Sequence, residues 1–273
     1  MRRLVTVLTA TLVIATLPVI TGRGSHAAAD ATADVATGSG GLDVCDGAHL
    51  DLCESTRLSE GDEGRAVSHL QGLLYLKKFY RGPIDGVFSR QVAVAVATFH
   101  KAIGPARSDA TDRWGAVTNW KANPPSEVFS IEDWPLLKDF RPIPPKARID
   151  QPDRVEVDIG HQLLYLILDG KVDAIVHVST GYDPYDTPRT KYFANGSHFY
   201  HKHGYNGWSP LPGDWSIYKF WAYLGRNNNY GVHGYRSVPY WPASHGCIRV
   251  EVWEADYLHE LFYIGLPVHV WDE

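Results

Sequence analysis

Cys247 is the residue of this chain whose neighbours most clearly indicate chemistry. His245 stands two positions before it and His233 lies further upstream, so either imidazole could take the thiol proton. The thiolate is the reactive form of cysteine, and a nearby imidazole stabilises it and returns the proton to a leaving amine. Gly246 lets the chain approach a substrate closely, so the N–H groups of Gly246 and Cys247 are candidate oxyanion donors. A nucleophile, a base and oxyanion donors are the groups that breaking an amide through a covalent intermediate requires.

Two other patterns are weaker indications of a ligand site. His198, His201 and His203 have a spacing that could bind zinc, but no Cys pair or His-Glu-x-x-His pattern accompanies them. A polar loop is the simpler interpretation, and we predict no metal site. Residues 82–86 form a Gly-Pro turn signal without the Gly-Lys-[Ser/Thr] of a phosphate-binding loop.

The composition describes an ordinary folded protein. The chain has 273 residues, of which 44% are hydrophobic and 21% are charged, and a chain of this size can bury a core. Its formal net charge is −5 and no basic block stands out. A nucleic-acid partner is therefore disfavoured.

The N-terminus has the order of a secretory signal peptide. Arg2 and Arg3 precede an uncharged, apolar stretch over residues 4–20, and alanines at 27–29 suit cleavage before Asp30. We predict a signal peptide over residues 1–29 and a secreted, periplasmic or cell-wall location. A retained signal anchor is the alternative, since the apolar stretch is near the lower limit of a membrane span.

Export makes the three cysteines informative, because thiols outside the cytoplasm tend to pair. Cys45 and Cys53 could close a short disulfide loop, which would leave Cys247 as a free thiol. The alternative for Cys247 is a buried inert cysteine, and its neighbours argue against that.

The rest of the chain divides by composition and periodicity. Residues 30–56 are rich in small and polar residues and predict a flexible leader. Residues 57–122 predict a small all-α unit, because two apolar runs in it follow helical spacing. Residues 123–149 are bracketed by prolines and predict a linker. Residues 150–273 show alternation and short apolar runs, which predict a mainly β domain.

Several elements of that β domain are predicted individually. Asp169-Gly170 indicates a tight hairpin turn. Strands are expected at residues 155–159, 163–168, 171–178, 214–218, 230–234 and 268–271, and a helix at 252–262.

Two segments of the sequence resemble known families. The motif His233-Gly234, followed by the run Ser244-His245-Gly246-Cys247-Ile248-Arg249, resembles the signature of L,D-transpeptidase catalytic domains of the YkuD type. This resemblance covers about residues 150–273 and implies a β-sandwich with a short helix. Residues 57–121 resemble the small helical peptidoglycan-binding module.

The resemblance implies a role for each motif residue. His233 is implied as general acid and base, oriented by the carbonyl of Gly234, and His245 as an auxiliary that shapes the pocket. Ser244 belongs to the same orienting set. No organic cofactor is implied.

The implied reaction is peptidoglycan cross-linking. Cys247 would attack the amide before the terminal D-Ala of a stem tetrapeptide, D-Ala would leave, and an amine of a neighbouring stem would resolve the thioester into a 3→3 cross-link. Peptidoglycan is the implied partner, and β-lactams of the carbapenem type are the implied acylating inhibitors.

Three residues near the motifs are candidates for substrate binding. Arg249 could bind a substrate carboxylate or hold its loop by ion pairing. Tyr235 and Trp241 are the aromatic residues best placed to line a groove. A long aromatic insert over residues 182–208 separates this chain from the usual family pattern.

Other functions remain open on the sequence. Water in place of the acceptor amine would make the enzyme an L,D-carboxypeptidase. A different cysteine peptidoglycan hydrolase is a second alternative, although such families usually place Cys before His in the chain. A catalytically silent wall-binding protein is a third.

Overall fold

The computed structural model describes residues 57–107, 120–146, 150–189, 198–199, 202–203, 207–209, 216–224 and 230–272. The predicted signal peptide and leader, with Cys45 and Cys53, lie outside these residues, as do His201 and much of the 182–208 insert. Within the described part of the chain, no helix combines the length and hydropathy needed to cross a bilayer.

The elements follow one another with helices mainly first and strands later. In chain order they are β1 (Arg57–Leu58), α1 (Arg65–Leu76), α2 (Arg90–Ile103), β2 (Phe129–Ser130), α3 (Asp133–Asp139), β3 (Arg154–Asp158), β4 (Leu163–Leu168), β5 (Lys171–His177), β6 (His198–Phe199), β7 (Lys202–His203), β8 (Tyr218–Leu224), β9 (Tyr230–Gly234), β10 (Ile248–Val250), α4 (Val252–Leu261) and β11 (Pro267–Trp271).

Two sheets share one hydrophobic core. The larger has the strand order β5-β4-β3-β11-β6, and the smaller has the order β10-β9-β8-β7. Val157 and Leu166 of the larger sheet are buried in one cluster with Val232 and Ile248 of the smaller sheet and with Leu258 of α4. The predicted mainly β catalytic fold with a short helix is confirmed.

Local sequence signals account for most of these elements. Asp169 and Gly170 have φ of 50° and 74°, the left-handed pair that a tight hairpin turn between β4 and β5 requires. Strand β9 matches its predicted bounds, and α4 ends one residue before its predicted end. Strand β8 runs from Tyr218 to Leu224, so it meets the strand expected at 214–218 only at its last residue; residues 214–215 lie outside the described part of the chain.

The two long helices pack on the outer face of the larger sheet. Leu70 of α1 and Phe99 of α2 belong to one buried cluster with Leu163, Ile167 and Ile175 of β4 and β5. Strand β4 therefore has both faces covered, which explains its unbroken apolar run. The predicted helical unit is present, and it shares its core with the sheet.

The structure differs from the predicted linker at residues 123–149. Strand β2 pairs with β1, and α3 follows it at once. Phe129, Trp134 and Leu137 are fully buried. Prolines delimit this segment as expected, but its aromatic side chains complete the core of the helical unit, so it is not a free linker.

A buried ion pair joins the helical unit to the helix after the nucleophile. Arg81 donates from Nε at 2.9 Å and from Nη2 at 2.5 Å to Oε2 of Glu254 in α4. The Arg81 guanidinium also lies 5.2 Å from the ring centre of Tyr257. The side chains in both contacts are partly buried. The paired hydrogen bonds have a defined geometry, so they help to fix the orientation of α4 against the helical unit.

His161 forms a second link, and its charge makes that link depend on pH. Its Nδ1 lies 2.7 Å from Oδ2 of Asp158, and its Nε2 lies 3.2 Å from the carbonyl oxygen of Gly104 at the end of α2. The hydrogen bond to Asp158 raises the pKa of His161, while partial burial opposes that shift. The charged form is therefore favoured in the folded protein.

We expect His161→Gln to destabilise the protein more at pH 5.5 than at pH 9. A raised pKa in the folded state gives stabilisation that is complete below the unfolded pKa, about 6.5, and lost as pH rises through the folded value. The difference should stay below about 1 kcal/mol because the side chain is partly exposed. Urea unfolding of both proteins at the two pH values measures it. Equal destabilisation at both would contradict this assignment.

Candidate active site

Parallel pairing of β9 with β10 creates the candidate site. The register places Val232 beside Ile248 and His233 beside Arg249. Paired residues point to the same face of a sheet, so Val232 and Ile248 enter the core while His233 and Arg249 share the opposite face. Cys247 directly precedes β10, and its sulfur has a hydrogen bond with the backbone of Gly231 in β9. One strand pair thus brings the nucleophile next to the strand that carries the predicted base.

His233 is held in one orientation and kept uncharged. It is 3% exposed, and its Nδ1 lies 2.9 Å from the carbonyl oxygen of Gly234. The carbonyl can only accept, so Nδ1 carries the proton and Nε2 has the lone pair that a base needs. Burial lowers the pKa of His233 to about 4; the charge of Arg249 adds to this and the Gly234 carbonyl opposes it. The hydrogen bond predicted between His233 and Gly234 is present.

The Cys247 thiol is also uncharged at neutral pH. Burial raises its pKa, while the Gly231 hydrogen bond and the charge of Arg249 act in the opposite direction. Cys247 is therefore a partly buried thiol outside any disulfide, and it precedes the strand that pairs with the strand of His233. The two pKa shifts favour a neutral thiol and a neutral imidazole over a thiolate and an imidazolium. A nucleophilic role of Cys247 would require its proton to leave as sulfur attacks an electrophile.

Ser244 fixes the turn of residues 244–247, which carries the predicted nucleophile and is called the nucleophile turn below. Its hydroxyl donates to the Cys247 carbonyl at 2.5 Å and accepts the N–H of Gly246 at 3.1 Å. The Gly246 N–H is thus occupied, which differs from its predicted role as an oxyanion donor. Gly246 serves the backbone instead: its φ is 105°, and a Cβ there would lie 2.4 Å from the Tyr230 ring. The Cys247 N–H remains a predicted donor.

A second segment supports β10 from its other side. Ser179 exchanges two backbone hydrogen bonds of 3.0 Å with Arg249. The carbonyl of Thr180 accepts the N–H groups of Ala243 and Ser244 at 2.9 and 3.0 Å. Gly181 packs so closely that a Cβ would lie 2.1 Å from the Tyr185 carbonyl oxygen. The nucleophile turn is therefore held by backbone contacts on both sides.

His245 lies apart from the buried imidazole. It is exposed and packs against Tyr182 and Tyr185, with ring centres 5.5 and 4.5 Å away. The sequence argument that positions two apart share a face requires extended backbone. Gly246, with its left-handed φ, turns the chain between His245 and Cys247. The structure therefore places His245 at an aromatic rim, and its auxiliary role stays a prediction.

Arg249 and Tyr235 belong to the site. The Arg249 guanidinium lies 4.1 Å from the Tyr235 ring centre, and the Tyr235 ring lies 5.9 Å from that of His233. Among the ion pairs of the described ranges, none involves Arg249. Of its two predicted roles, the ion pair is thus not found there. Binding of a substrate carboxylate by Arg249 stays a prediction.

Trp241 has a different neighbourhood from Tyr235. Its carbonyl accepts the Ser179 hydroxyl at 2.7 Å, and Lys121 lies 5.3 Å from its ring centre. Trp241 thus lies where the segment between β9 and β10 contacts Lys121 of the helical unit. Its place in a substrate groove stays a prediction.

Sequence reasoning missed Phe220, whose ring centre lies 6.1 Å from that of His233. It is one of several aromatic residues in its region, and only the pairing of β8 with β9 singles it out. Nor does the sequence indicate that Gln162 is the buried partner of Thr180. Both roles depend on contacts between distant segments.

The described residues contain no group of three or more His, Cys, Asp or Glu side chains that could hold a metal ion. The side chains of His198, His201 and His203 lie outside the described part. The prediction that these three histidines form no zinc site therefore stays a prediction.

The comparisons with known proteins agree with this geometry. Residues 152–270 match the family model of the YkuD L,D-transpeptidase catalytic domain. No match is found among curated proteins. A solved L,D-transpeptidase from Xylanimonas cellulosilytica matches with a TM-score of 0.60 and 23% identity, covering 80% of this chain and 98% of that one. That likeness shows a shared fold.

Two further structures match more loosely. An L,D-transpeptidase from Stackebrandtia nassauensis has a TM-score of 0.42 and 19% identity, covering 80% of this chain and 96% of that one. L,D-transpeptidase 3 from Mycobacterium tuberculosis, in complex with a faropenem-derived adduct, has a TM-score of 0.36 and 18% identity, covering 44% and 60%.

The state of the thiol can be tested directly. We expect the rate of Cys247 alkylation by iodoacetamide to rise continuously from pH 6 to pH 9, because its raised pKa leaves little thiolate at neutral pH. Mass spectrometry of the Cys247 peptide separates it from Cys45 and Cys53. Cys247→Ala supplies the control. A rate that is high and constant from pH 5 to pH 8 would indicate a preformed ion pair and contradict this assignment.

Proposed function

Since residues 152–270 are an L,D-transpeptidase catalytic domain of the YkuD family, we propose that this chain cross-links peptidoglycan with Cys247 as its nucleophile. The observation that carries the proposal is the strand pair β9–β10, which places Cys247 beside the strand of a fixed, neutral His233. A neutral imidazole with Nε2 unprotonated is the form that accepts a thiol proton.

The acyl-transfer step uses these two residues in turn. The sulfur of Cys247 attacks the amide carbonyl before the terminal D-Ala of a stem tetrapeptide, and His233 takes the thiol proton. When the C–N bond breaks, His233 gives that proton to the amine of D-Ala, which leaves. The product is a thioester of Cys247 with the third residue of the stem. Both residues begin and end this half-reaction uncharged.

The second half-reaction consumes the thioester. The side-chain amine of a neighbouring stem attacks it, His233 accepts the proton that the amine loses, and the thiol of Cys247 recovers it. The new amide is a 3→3 cross-link. Water in the place of that amine would release a tripeptide instead, which is the carboxypeptidase alternative.

Arg249 and Tyr235 are suited to bind the substrate. The guanidinium of Arg249 lies on the same face as His233 and against the Tyr235 ring. Stacking on an aromatic ring fixes a guanidinium while leaving its N–H groups able to meet a carboxylate in a fork. We therefore assign Arg249 to a carboxylate of the stem peptide.

The helical unit and the N-terminus support action at the cell wall. The predicted signal peptide would export the chain, and the helical unit would hold it on peptidoglycan and raise the local concentration of stems. A cleft of about 390 Å³ in that unit is lined by His100, Arg107, Trp120 and Asp133, among others. Such a lining offers an aromatic surface and charges of both signs to a peptide stem.

The proposal is tested with a stem tetrapeptide as donor, with and without an acceptor stem, followed by mass spectrometry. We expect loss of D-Ala, a transient thioester on Cys247 and a dimer in the presence of acceptor. Cys247→Ala should abolish all three, and His233→Gln should slow acylation by roughly 100-fold or more, as for loss of a general base.

The other outcomes separate the alternatives. Release of D-Ala without dimer, even with acceptor present, would favour the carboxypeptidase. Absence of any adduct on Cys247, with the tetrapeptide and also with a carbapenem, would contradict an acyl-transfer function. Folding of each variant is checked by its thermal unfolding.

A further inference from the structure

Lys101 of α2 is buried against the catalytic domain rather than exposed on its helix. It is 3% exposed, burial lowers its pKa well below the usual range, and its Nζ donates to the carbonyl oxygen of Gln162 at 2.5 Å. The same nitrogen lies 2.7 Å from Nδ1 of His177 at the end of β5. A buried lysine is rare because its charge loses hydration, so its contacts call for an explanation.

The contact with Gln162 leads to the nucleophile turn. The side-chain amide of Gln162 makes two hydrogen bonds to Thr180: Oε1 accepts the N–H at 2.9 Å and Nε2 donates to Oγ1 at 2.8 Å. The carbonyl of Thr180 in turn accepts the N–H groups of Ala243 and Ser244. Ser244 then binds the carbonyl of Cys247. Lys101 is thus at the start of a continuous hydrogen-bonded path to the nucleophile.

The contact with His177 leads to the same loop by a separate path. The carbonyl of Val238 can only accept, so Nε2 of His177 carries the proton and Nδ1 of the uncharged ring accepts from the Lys101 amine. That Nε2 lies 3.1 Å from the carbonyl oxygen of Val238. Val238 lies in residues 235–247, which we call the connecting loop because they join His233 to Cys247. Burial and the charge of Lys101 lower the pKa of His177, so this tautomer persists at neutral pH.

Other residues from the N-terminal side hold the connecting loop as well. Tyr240 donates its hydroxyl to Oε1 of Glu127 at 2.7 Å, and its ring centre lies 4.7 Å from that of His177. Lys121 lies over the ring of Trp241. The connecting loop therefore rests on residues of the helical unit as much as on its own sheet.

We propose that Lys101 is a positioning residue, through which the helical unit fixes the connecting loop and the nucleophile turn. The part of this proposal that concerns rate rests on the proposed acyl transfer. In this account the helical unit is a structural component of the active site in addition to a wall-binding module. Removing the Lys101 amine takes away the first hydrogen bond of both paths at once, while His233 and Cys247 keep their own chemistry.

The test compares Lys101→Met with Lys77→Met in the full chain. Lys77 also donates to two carbonyls, those of Lys138 and Phe140 at 2.5 and 2.8 Å, but these belong to the 123–149 segment and lead to neither the connecting loop nor Thr180. Hydrogen exchange by mass spectrometry follows the peptide of residues 235–247, and intact mass follows acylation by a carbapenem. Both are measured well below the unfolding temperature of each variant.

We expect Lys101→Met to speed exchange in residues 235–247 by about tenfold. The acylation rate constant should fall by about tenfold while the carbapenem's initial binding changes by less than about twofold, because only the alignment of the nucleophile is affected. Lys77→Met should leave the exchange rate of residues 235–247, the acylation rate constant and the initial binding of the carbapenem unchanged. A merely structural Lys101 would lower the unfolding temperature without changing the acylation rate constant, and that result would overturn the proposal.

Tyr240→Phe is a second variant that keeps the proposal testable if Lys101→Met does not fold. It removes one hydroxyl and the hydrogen bond to Glu127, so a smaller increase in exchange over residues 235–247 is expected; no increase would count against the proposal. If the wild-type chain is not acylated at all, the proposed function fails. Faster exchange in Lys101→Met would then still support the anchoring of the loop.

Discussion

The parallel pairing of β9 with β10 is the interaction on which the rest of the candidate site depends. It joins two segments that are separated in sequence by the connecting loop, and each strand contributes one face to the core and one to the site. Val232, Ile248 and Val250 are buried in the sandwich, so the register cannot slip without exposing them. The same register fixes where His233, Arg249 and the start of the nucleophile turn lie. Packing of the core and assembly of the site are therefore one event.

Burial is the second constraint, and it decides the charge state of the site. It lowers the pKa of His233 and raises that of Cys247, so both residues are neutral before substrate arrives. A neutral pair avoids the cost of two desolvated charges. We therefore expect the thiol to react slowly with adventitious electrophiles and, in the proposed acyl transfer, to lose its proton only when a carbonyl is positioned for attack. Such a nucleophile suits a protein predicted to work outside the cell, where oxidants are common.

The support of this strand pair comes from two other parts of the fold, the larger sheet and the helical side. Ser179 and Thr180 hold β10 and the nucleophile turn from the larger sheet. Lys101, Glu127 and Lys121 reach the connecting loop from the helical side. A single core extends from α1 and α2 across the outer face of β4 and β5. The helical unit and the catalytic domain therefore behave as parts of one scaffold in the described structure.

The sequence was sufficient for those features that local patterns encode. Helical spacing located α1, α2 and α4, Asp169-Gly170 located the hairpin, and the motif around Cys247 located the nucleophile. Features that depend on distant contacts were not predictable in this way. Strand β10 has three residues, too few to show a period, and exists because β9 pairs with it. The Gly246 N–H was assigned to an oxyanion because nothing local reveals that Ser244 already accepts it.

Buried polar residues were the other limit. Lys101 and His177 look like surface residues on a helix and a strand end, and only tertiary packing shows that they contact each other. The aromatic residues of the 123–149 segment looked like a linker because prolines surround them. They are buried against residues of α1 and α2, which are distant in sequence and could not be inferred from the segment itself. In each case, a partner distant in sequence determined the outcome.

The proposed chemistry depends on a neutral His233 beside the strand end that carries Cys247. Nitrogen-15 NMR of the imidazole tests this directly, since chemical shifts distinguish the two tautomers and the charged form. We expect a neutral ring at pH 7 with the proton on Nδ1, titrating near pH 4. Cys247→Ala serves as the reference for assigning any coupling to the thiol. An imidazolium at pH 7 that loses its charge in Cys247→Ala would show a resting ion pair and contradict the account.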